Sequence, residues 1–290
     1  MFEAISKWAS TMWWLETGKT DDYIKKTLKL DGLTGTALKS APNYAYYEHF
    51  LYTREGYMLE NWLKKGYSTK EIWARYKLDD VPLTLLKDKD GFKTYLRYAT
   101  MEDDKIFKLK KQDKDVEIDE SNTASEMIAK VDMWVSLDRP SWYVKAMLDL
   151  DRRSYKAFHN SRNYWLYKRF EQANDDRTLA TWLANKVPTE RIWTTFKIDE
   201  LSRGNRGYKI YVRYAKMKDD ETFNLWFTGN AFERESGNIP SEMNTKVEIW
   251  ADAKRPNSYV KEVLHLNKFA PKTSPNYKYY EKFVELREPV

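Results

Sequence analysis

The chain has 290 residues, 42% hydrophobic and 16% aromatic, enough apolar material for two or three folded domains and too much for a disordered polymer despite a mean hydropathy of −0.80. Ten glycines and nine prolines are few for this length, so turns are sparse and elements long, and the lack of cysteine excludes disulfides, thiolate metal sites and thiol chemistry within the chain. Fifty Lys and Arg against 44 Asp and Glu leave a net charge of +6, and no apolar run approaches the roughly 20 residues that cross a bilayer.

Met1 to Trp14 carry no basic leader ahead of an apolar core, so no signal peptide is expected there. The first helix should carry Trp14 and stop at Gly18, where a left-handed cap suits glycine. Ile24 and Leu28 mark a short helix, and Tyr44, Tyr47 and Leu51 a longer one with its apolar residues three and four apart on one buried face. The same series then returns 48 residues on, as Trp62, Gly66, Ser68, Ile72, Leu78, Phe92, Tyr95 and Tyr98. Ser68 with Glu71 has the form of a capping box opening a short helix with Ile72, Trp73 and Tyr76. A Leu-rich connector from Val81 to Asp90 precedes the Phe92, Tyr95, Tyr98 stripe, and Asp103-Asp104 follow Met101.

Beyond a charged stretch from Lys110 to Ser121, Ser125-Glu126 opens a helix with Met127, Ile128, Val131 and Trp134 at helical spacing. Here the series starts again 120 residues after its first statement: Trp134, Asn163-Tyr164, Tyr167 and Phe170, then Trp182, Ile192-Trp193, Tyr211 and Tyr214. Pro188-Thr189-Glu190 starts the short helix that Ser68 and Glu71 start in the earlier copy. Asp219-Asp220 repeat the acidic pair, and Leu225 to Pro240 bring Trp226, Phe227, Phe232 and Arg234 where the earlier copy is charged. Ser241-Glu242 open the last statement, with Trp250, Tyr280 and Phe283. Of the 21 positions from 130 to 150, ten are identical 116 residues later, which marks an array of like units. The expected units are residues 1–120, 121–236 and the first half of a third, 237–290, as in a piece trimmed from a longer protein.

Nothing in the pattern reads as a sheet. The expected fold is all-α: tandem helical-bundle repeats whose apolar faces are too wide to cover alone, stacked end to end into an elongated rod. The expected core is Trp14, Tyr47, Trp62, Tyr95, Tyr98, Trp134, Tyr167, Trp182, Tyr211, Tyr214, Trp250 and Tyr280, large rings that keep a polar handle at the bundle edge.

Signals of chemistry are sparse. His49, His159 and His265 stand alone, with no spacing that puts two ligands on one helix face, and no Walker or Gly-x-Gly-x-x-Gly loop occurs. An aspartate pair on a helix suits magnesium, but Asp103-Asp104 and Asp219-Asp220 recur in phase with the framework, so a solvated cap or a salt bridge between units is the favoured reading. No catalytic residue, cofactor or metal is assigned. The charges are interspersed, as in Lys110-Lys111-Gln112-Asp113-Lys114-Asp115, which favours a mixed solvated surface over a phosphate-tracking groove and leaves a helical RNA-binding repeat as the second reading. A partner should bind where copies differ: Trp226, Phe227, Phe232 and Arg234, and the Val81 to Asp90 connector, unless Trp226 and Phe227 simply seal the joint to the third unit.

Trp62-Leu63-x-x-Gly66-x-Ser68-x-x-x-Ile72-x-x-x-Tyr76-x-Leu78, followed by Tyr95 and Tyr98, resembles the W and Y motifs of oomycete (Phytophthora-type) RXLR effectors. Met133-Trp134 through Leu137, Pro140, Val144, Leu148 and Leu150 is similar to the L motif of tandem LWY arrays, with Met133 or Ile249 at the leucine position. The Arg-x-Leu-Arg element itself is absent. The resemblance implies a non-enzymatic virulence effector, secreted by a plant pathogen and acting in the host cytoplasm or nucleus. It would be a monomer that suppresses immunity through host protein contacts, among them the scaffold and catalytic subunits of protein phosphatase type 2A, without cofactor, membrane or nucleic acid.

Overall fold

A computed structural model describes residues 10–116, 122–235, 239–266 and 272–287, and among these every regular element is an α- or 3-10 helix. The chain divides into two compact units, residues 1–170 and 171–290, each described by itself.

In the first unit a helical stretch over residues 10–16 carries the buried Trp14 and stops at Gly18, whose φ of 61° is left-handed. Helix α1 (Asp21–Thr27) is capped by Thr20, whose side chain accepts from the Tyr23 amide. Helix α2 (Gly35–Lys39) and the long α3 (Tyr44–Lys65) follow, and α3 ends on Gly66 at φ 75°. Helix α4 (Thr69–Arg75) opens on the capping box of Ser68 and Glu71. Two 3-10 turns, Leu78–Asp80 and Leu83–Asp88, make the connector to α5 (Asp90–Lys110). Helix α6 (Ala124–Ser136) starts slightly earlier than its Ser125-Glu126 signal because Thr123 supplies the cap, accepting from the Glu126 amide. Helices α7 (Ser141–Met147) and α8 (Tyr155–His159) lead to α9 (Tyr164–Ala184), which carries the boundary.

The second unit holds α10 (Thr189–Thr195), a 3-10 turn at Ile198–Glu200, α11 (Arg206–Phe227), α12 (Pro240–Asp252), α13 (Asn257–Val263) and α14 (Tyr277–Arg287). Pro188, expected as the first helical residue, sits one position outside the helix, and Pro140 and Pro256 do the same. They are caps with ψ of 151°, 137° and 146°, where proline's fixed φ suits the extended entry to a helix.

A single C-terminal device recurs after α1, α7 and α13. Lys29, Asp149 and His265 take φ of 57°, 51° and 58°. The next amides, of Leu30, Leu150 and Leu266, return to the carbonyls of Lys25, Lys145 and Lys261 at 2.7 Å. This is a Schellman closure, and the three leucines are its buried apolar contacts. Asn43, Asn163 and Asn276 complete it, each donating Nδ2 to the carbonyl of Leu28, Leu148 or Leu264 at 2.9–3.0 Å. The Leu-x-Leu and Asn-Tyr pairs of the repeat are therefore parts of one helix stop, and they hold the following Tyr helix against the preceding turn.

Three cores stand out among the described residues. One joins Trp14, Ile24, Leu28, Leu30, Tyr47 and Phe50; a second joins Leu179, Ile192, Trp193, Tyr211 and Tyr214; a third joins Val247, Trp250, Tyr259, Val260 and Phe283. Elsewhere Trp62, Tyr95, Tyr98, Trp134 and Tyr167 are buried, at most 9% exposed. Trp182 is only partly buried, packed beside the second core. In α14 the buried ring is Tyr279, at 4% exposed, with Tyr280 partly buried beside it.

Candidate interaction surface

The residues that set the surface begin at the joint between each long Tyr helix and the Trp helix after it. Asp103 on α5 is 4% exposed and accepts from three donors: Trp134 Nε1 at 2.7 Å, Tyr143 Oη at 2.6 Å and Arg139 Nε at 2.6 Å. Asp104, half exposed, takes the other end of the same guanidinium. Asp219 repeats this on α11, accepting from Arg255 Nε and Tyr259 Oη at 2.7 Å each, with Asp220 on the same arginine. Burial pushes the Asp219 carboxyl up from its usual value, against the lowering by Tyr259 and Arg255. Burial likewise raises the Tyr143 and Tyr259 phenols, which face carboxylates.

The leading aspartate of each pair is thus a buried clamp, neither solvated nor open to a metal. The sequence signal that would have found its partners is Arg-Pro-x-x-Tyr, whose arginine falls 36 residues after the first aspartate in both copies. A second clamp lies beside the first: Tyr95 donates to Glu126 at 3.0 Å and Tyr211 to Glu242 at 2.9 Å, with Lys130 and Lys246 one turn on.

Next to each clamp one phenylalanine is sandwiched. Arg139 lies 4.3 Å from the Phe107 ring and Arg255 4.2 Å from Phe223. The opposing ring comes from different places. In the first unit Trp142 of α7 stacks on Phe107, with centroids 5.9 Å apart; in the second, Trp226 of α11 itself stacks on Phe223 at 5.6 Å. Trp226 also packs against Tyr259 and donates Nε1 to Glu262 at 3.0 Å, so it serves the scaffold. Phe232 is partly buried against the same core, and Arg234 lies over it at 5.9 Å while pairing with Glu262 at 3.3 Å. Phe227, the last residue of α11, is 75% exposed. In the connector, Leu83 and Leu85 are about half exposed while Leu86 is buried.

An open groove of about 650 Å³ runs beside Arg234, lined by Asn257, Ser258, Lys261, Glu262 and His265. Beneath the strap at 233–235 is a smaller cavity of about 110 Å³. The strap is tied down where the Glu235 amide donates to the Val263 carbonyl at 3.2 Å and Glu235 pairs with Lys246. The Arg234 groove mixes both charge signs, Arg234 and Lys261 against Glu262. Of the histidines, His159 is engaged with the Tyr155 carbonyl at 2.7 Å, His265 occupies the left-handed helix stop, and no cluster of three His, Asp or Glu able to hold a metal occurs among the described residues.

Neither a family model nor a solved structure matches the chain. It is 33% identical over 172 residues to a secreted RxLR effector protein of Phytophthora infestans (strain T30-4), an alignment that spans 58% of this chain and 72% of that protein. The chain belongs to the RxLR effector family. RxLR effector protein Avr1 of the same strain is 32% identical over 96 residues, a match that spans 33% of this effector and 43% of Avr1. As a family member this chain is a secreted virulence effector, and its all-helical architecture accords with the resemblance drawn from its repeat. No helix of the described residues is long and apolar enough to cross a membrane.

Proposed function

We propose that this effector acts inside the host plant cell, in cytoplasm or nucleus, as a monomeric, non-enzymatic scaffold that suppresses immunity by recruiting the core of host protein phosphatase type 2A. The observation that carries the effector role within this reading is the 33% identity to a secreted RxLR effector across most of that protein. The proposed units, 1–120, 121–236 and 237–290, give the framework aromatics to folding and leave positions that vary between copies for recognition. Phe227, Arg234 and the groove beside Arg234 are the proposed contact, with Trp226 packed on the Phe223 and Tyr259 rings and Phe232 packed against the same buried core. Affinity purification of the tagged effector from host tissue, followed by mass spectrometry, tests the reading. Recovery of phosphatase scaffold and catalytic subunits is expected. Recovery of RNA instead, retained at about 150 mM salt where nonspecific phosphate contacts weaken, would overturn it.

A further inference from the structure

Three short helices, α1, α7 and α13, occupy the same place in the repeat, yet their surroundings differ in one respect. Around α7, Met133 is 4% exposed and Tyr143 fully buried; around α13, Ile249 is 3% exposed and Tyr259 fully buried. The aligned residues beside α1 are Trp13, 48% exposed, and Tyr23, 43% exposed. Lys19 holds the arginine position of the clamp, where Arg139 and Arg255 are largely buried, and its ammonium lies 4.9 Å from the Trp13 ring centre and 5.0 Å from that of Tyr23.

What covers the other two copies is on view. Each receives the far half of a long helix that brings two adjacent aspartates and, one turn on, a phenylalanine: Asp103, Asp104 and Phe107, or Asp219, Asp220 and Phe223. The carboxylates meet the arginine and tyrosine, and the phenylalanine ring meets the tyrosine edge at 4.9 or 5.1 Å. Lys19 and Tyr23 present the same charge and the same phenol, with the Trp13 ring added as apolar area.

We infer that Trp13, Lys19 and Tyr23 form a docking face for an amphipathic helix of a partner protein, one carrying two adjacent carboxylates with an aromatic residue a turn later. The inference rests on the reading of this effector as an interaction scaffold and adds a second, chemically defined contact to it. Among the described residues, α5 and α11, the helices that carry two adjacent aspartates with a phenylalanine a turn later, are already seated on their own clamps, so a second copy does not offer them. Lysine in place of arginine gives a point charge without the two-pronged geometry. The mode is helix-in-groove recognition.

The test uses the whole 290-residue chain and a labelled peptide with the sequence of residues 90–110, followed by fluorescence anisotropy. Saturable binding is expected. Lys19→Glu or Tyr23→Ala in the protein should each weaken it about ten-fold or more, as should replacing Asp103 and Asp104 by asparagine in the peptide. Melting curves of the two protein variants should match the wild type, since neither side chain is in the core. Equal binding by both variants would mean that the peptide exchanges into the seated joints, and would overturn the docking face. So would the absence of saturation, or a dimer in sedimentation that Lys19→Glu dissolves, which would assign the face to a second copy. None of these failures touches phosphatase recovery, so the two readings fail separately.

Discussion

Replacing Asp103 by alanine should destabilise the first unit more than any other single carboxylate change. Its two oxygens serve Trp134, Tyr143 and Arg139 at 2.6–2.7 Å, and the Asp103 and Arg139 side chains are only 5% and 8% exposed. Taking one partner from a buried ion pair costs about 3–5 kcal/mol, because the remaining charge stays desolvated. Orphaned donors on Trp134 and Tyr143 would add about 1–3 kcal/mol each if they stayed dry. Asp104 retains part of the guanidinium, and water can enter the space that alanine leaves, so the terms overlap and the net is about 4–6 kcal/mol. At roughly 2–4 °C per kcal/mol for a domain of this size, thermal unfolding followed by circular dichroism should shift down by about 10–20 °C. Asp103→Asn keeps an acceptor for the ring donors and loses the charge, so it should fall between. A shift below about 2 °C for the alanine variant would refute the clamp. So would magnesium that raises the melting temperature of the wild type and not of the variant.

Four further outcomes follow from the same structure. Phe227→Ala should leave stability within about 0.5 kcal/mol, since the ring is three-quarters exposed, and a larger loss by chemical denaturation would place it in the scaffold. Trp134→Ala should cost about 3–5 kcal/mol and Trp182→Ala less, because Trp134 is 2% exposed with its indole N–H bonded while Trp182 is only partly buried; the reverse order would contradict the core assignment. Gly66→Ala should cost about 1–2 kcal/mol from the left-handed backbone alone, as an added Cβ meets nothing within 4 Å, and a neutral result would count against the φ of 75°. Stability should also fall in alkali. Burial, aided by Glu102, pushes the Tyr98 phenol up to about 12, and burial with Glu221 does the same for Tyr214. The unfolded phenol titrates near 10, so this stability is complete below about pH 10 and lost as pH rises from there through about 12. A melting temperature flat from pH 10 to 12 would refute it.

Much of the local structure was legible because its signals are local. Gly18, Gly66 and the Ser68–Glu71 box announce helix ends within one turn of chain, and the three-and-four stripes point to the buried Tyr95 and Tyr98 rings. The left-handed stops at Lys29, Asp149 and His265 were not read from the sequence: lysine carries no such signal, and aspartate and histidine only a weak one; the buried leucine one position later accompanies each closure. For the aspartate pairs the sequence left a solvated cap and a salt bridge between units both open; Asp103 and Asp219 are ion-paired to Arg139 and Arg255, and the choice was not legible because the partners lie 31 to 40 residues away, beyond any helical period. The sandwich around Phe107 and Phe223 was hidden for a related reason. Trp142 and Trp226 do the same job from different helices, so an alignment of copies pairs each with a polar residue, Ser258 or Lys110, and makes Trp226 look free. Fold class was within reach of the pattern, whereas the division of labour between scaffold and surface needed the packing.

The central claim is that the exposed, non-framework residues at the end of α11 and in the strap recruit a host protein. Its most direct test is co-purification from host tissue of the wild type and of a Phe227→Ala, Arg234→Ala variant, with both melting curves recorded. Loss of the phosphatase scaffold and catalytic subunits from the variant, at unchanged melting temperature, is the predicted result. Full retention of every partner by a folded variant would contradict it.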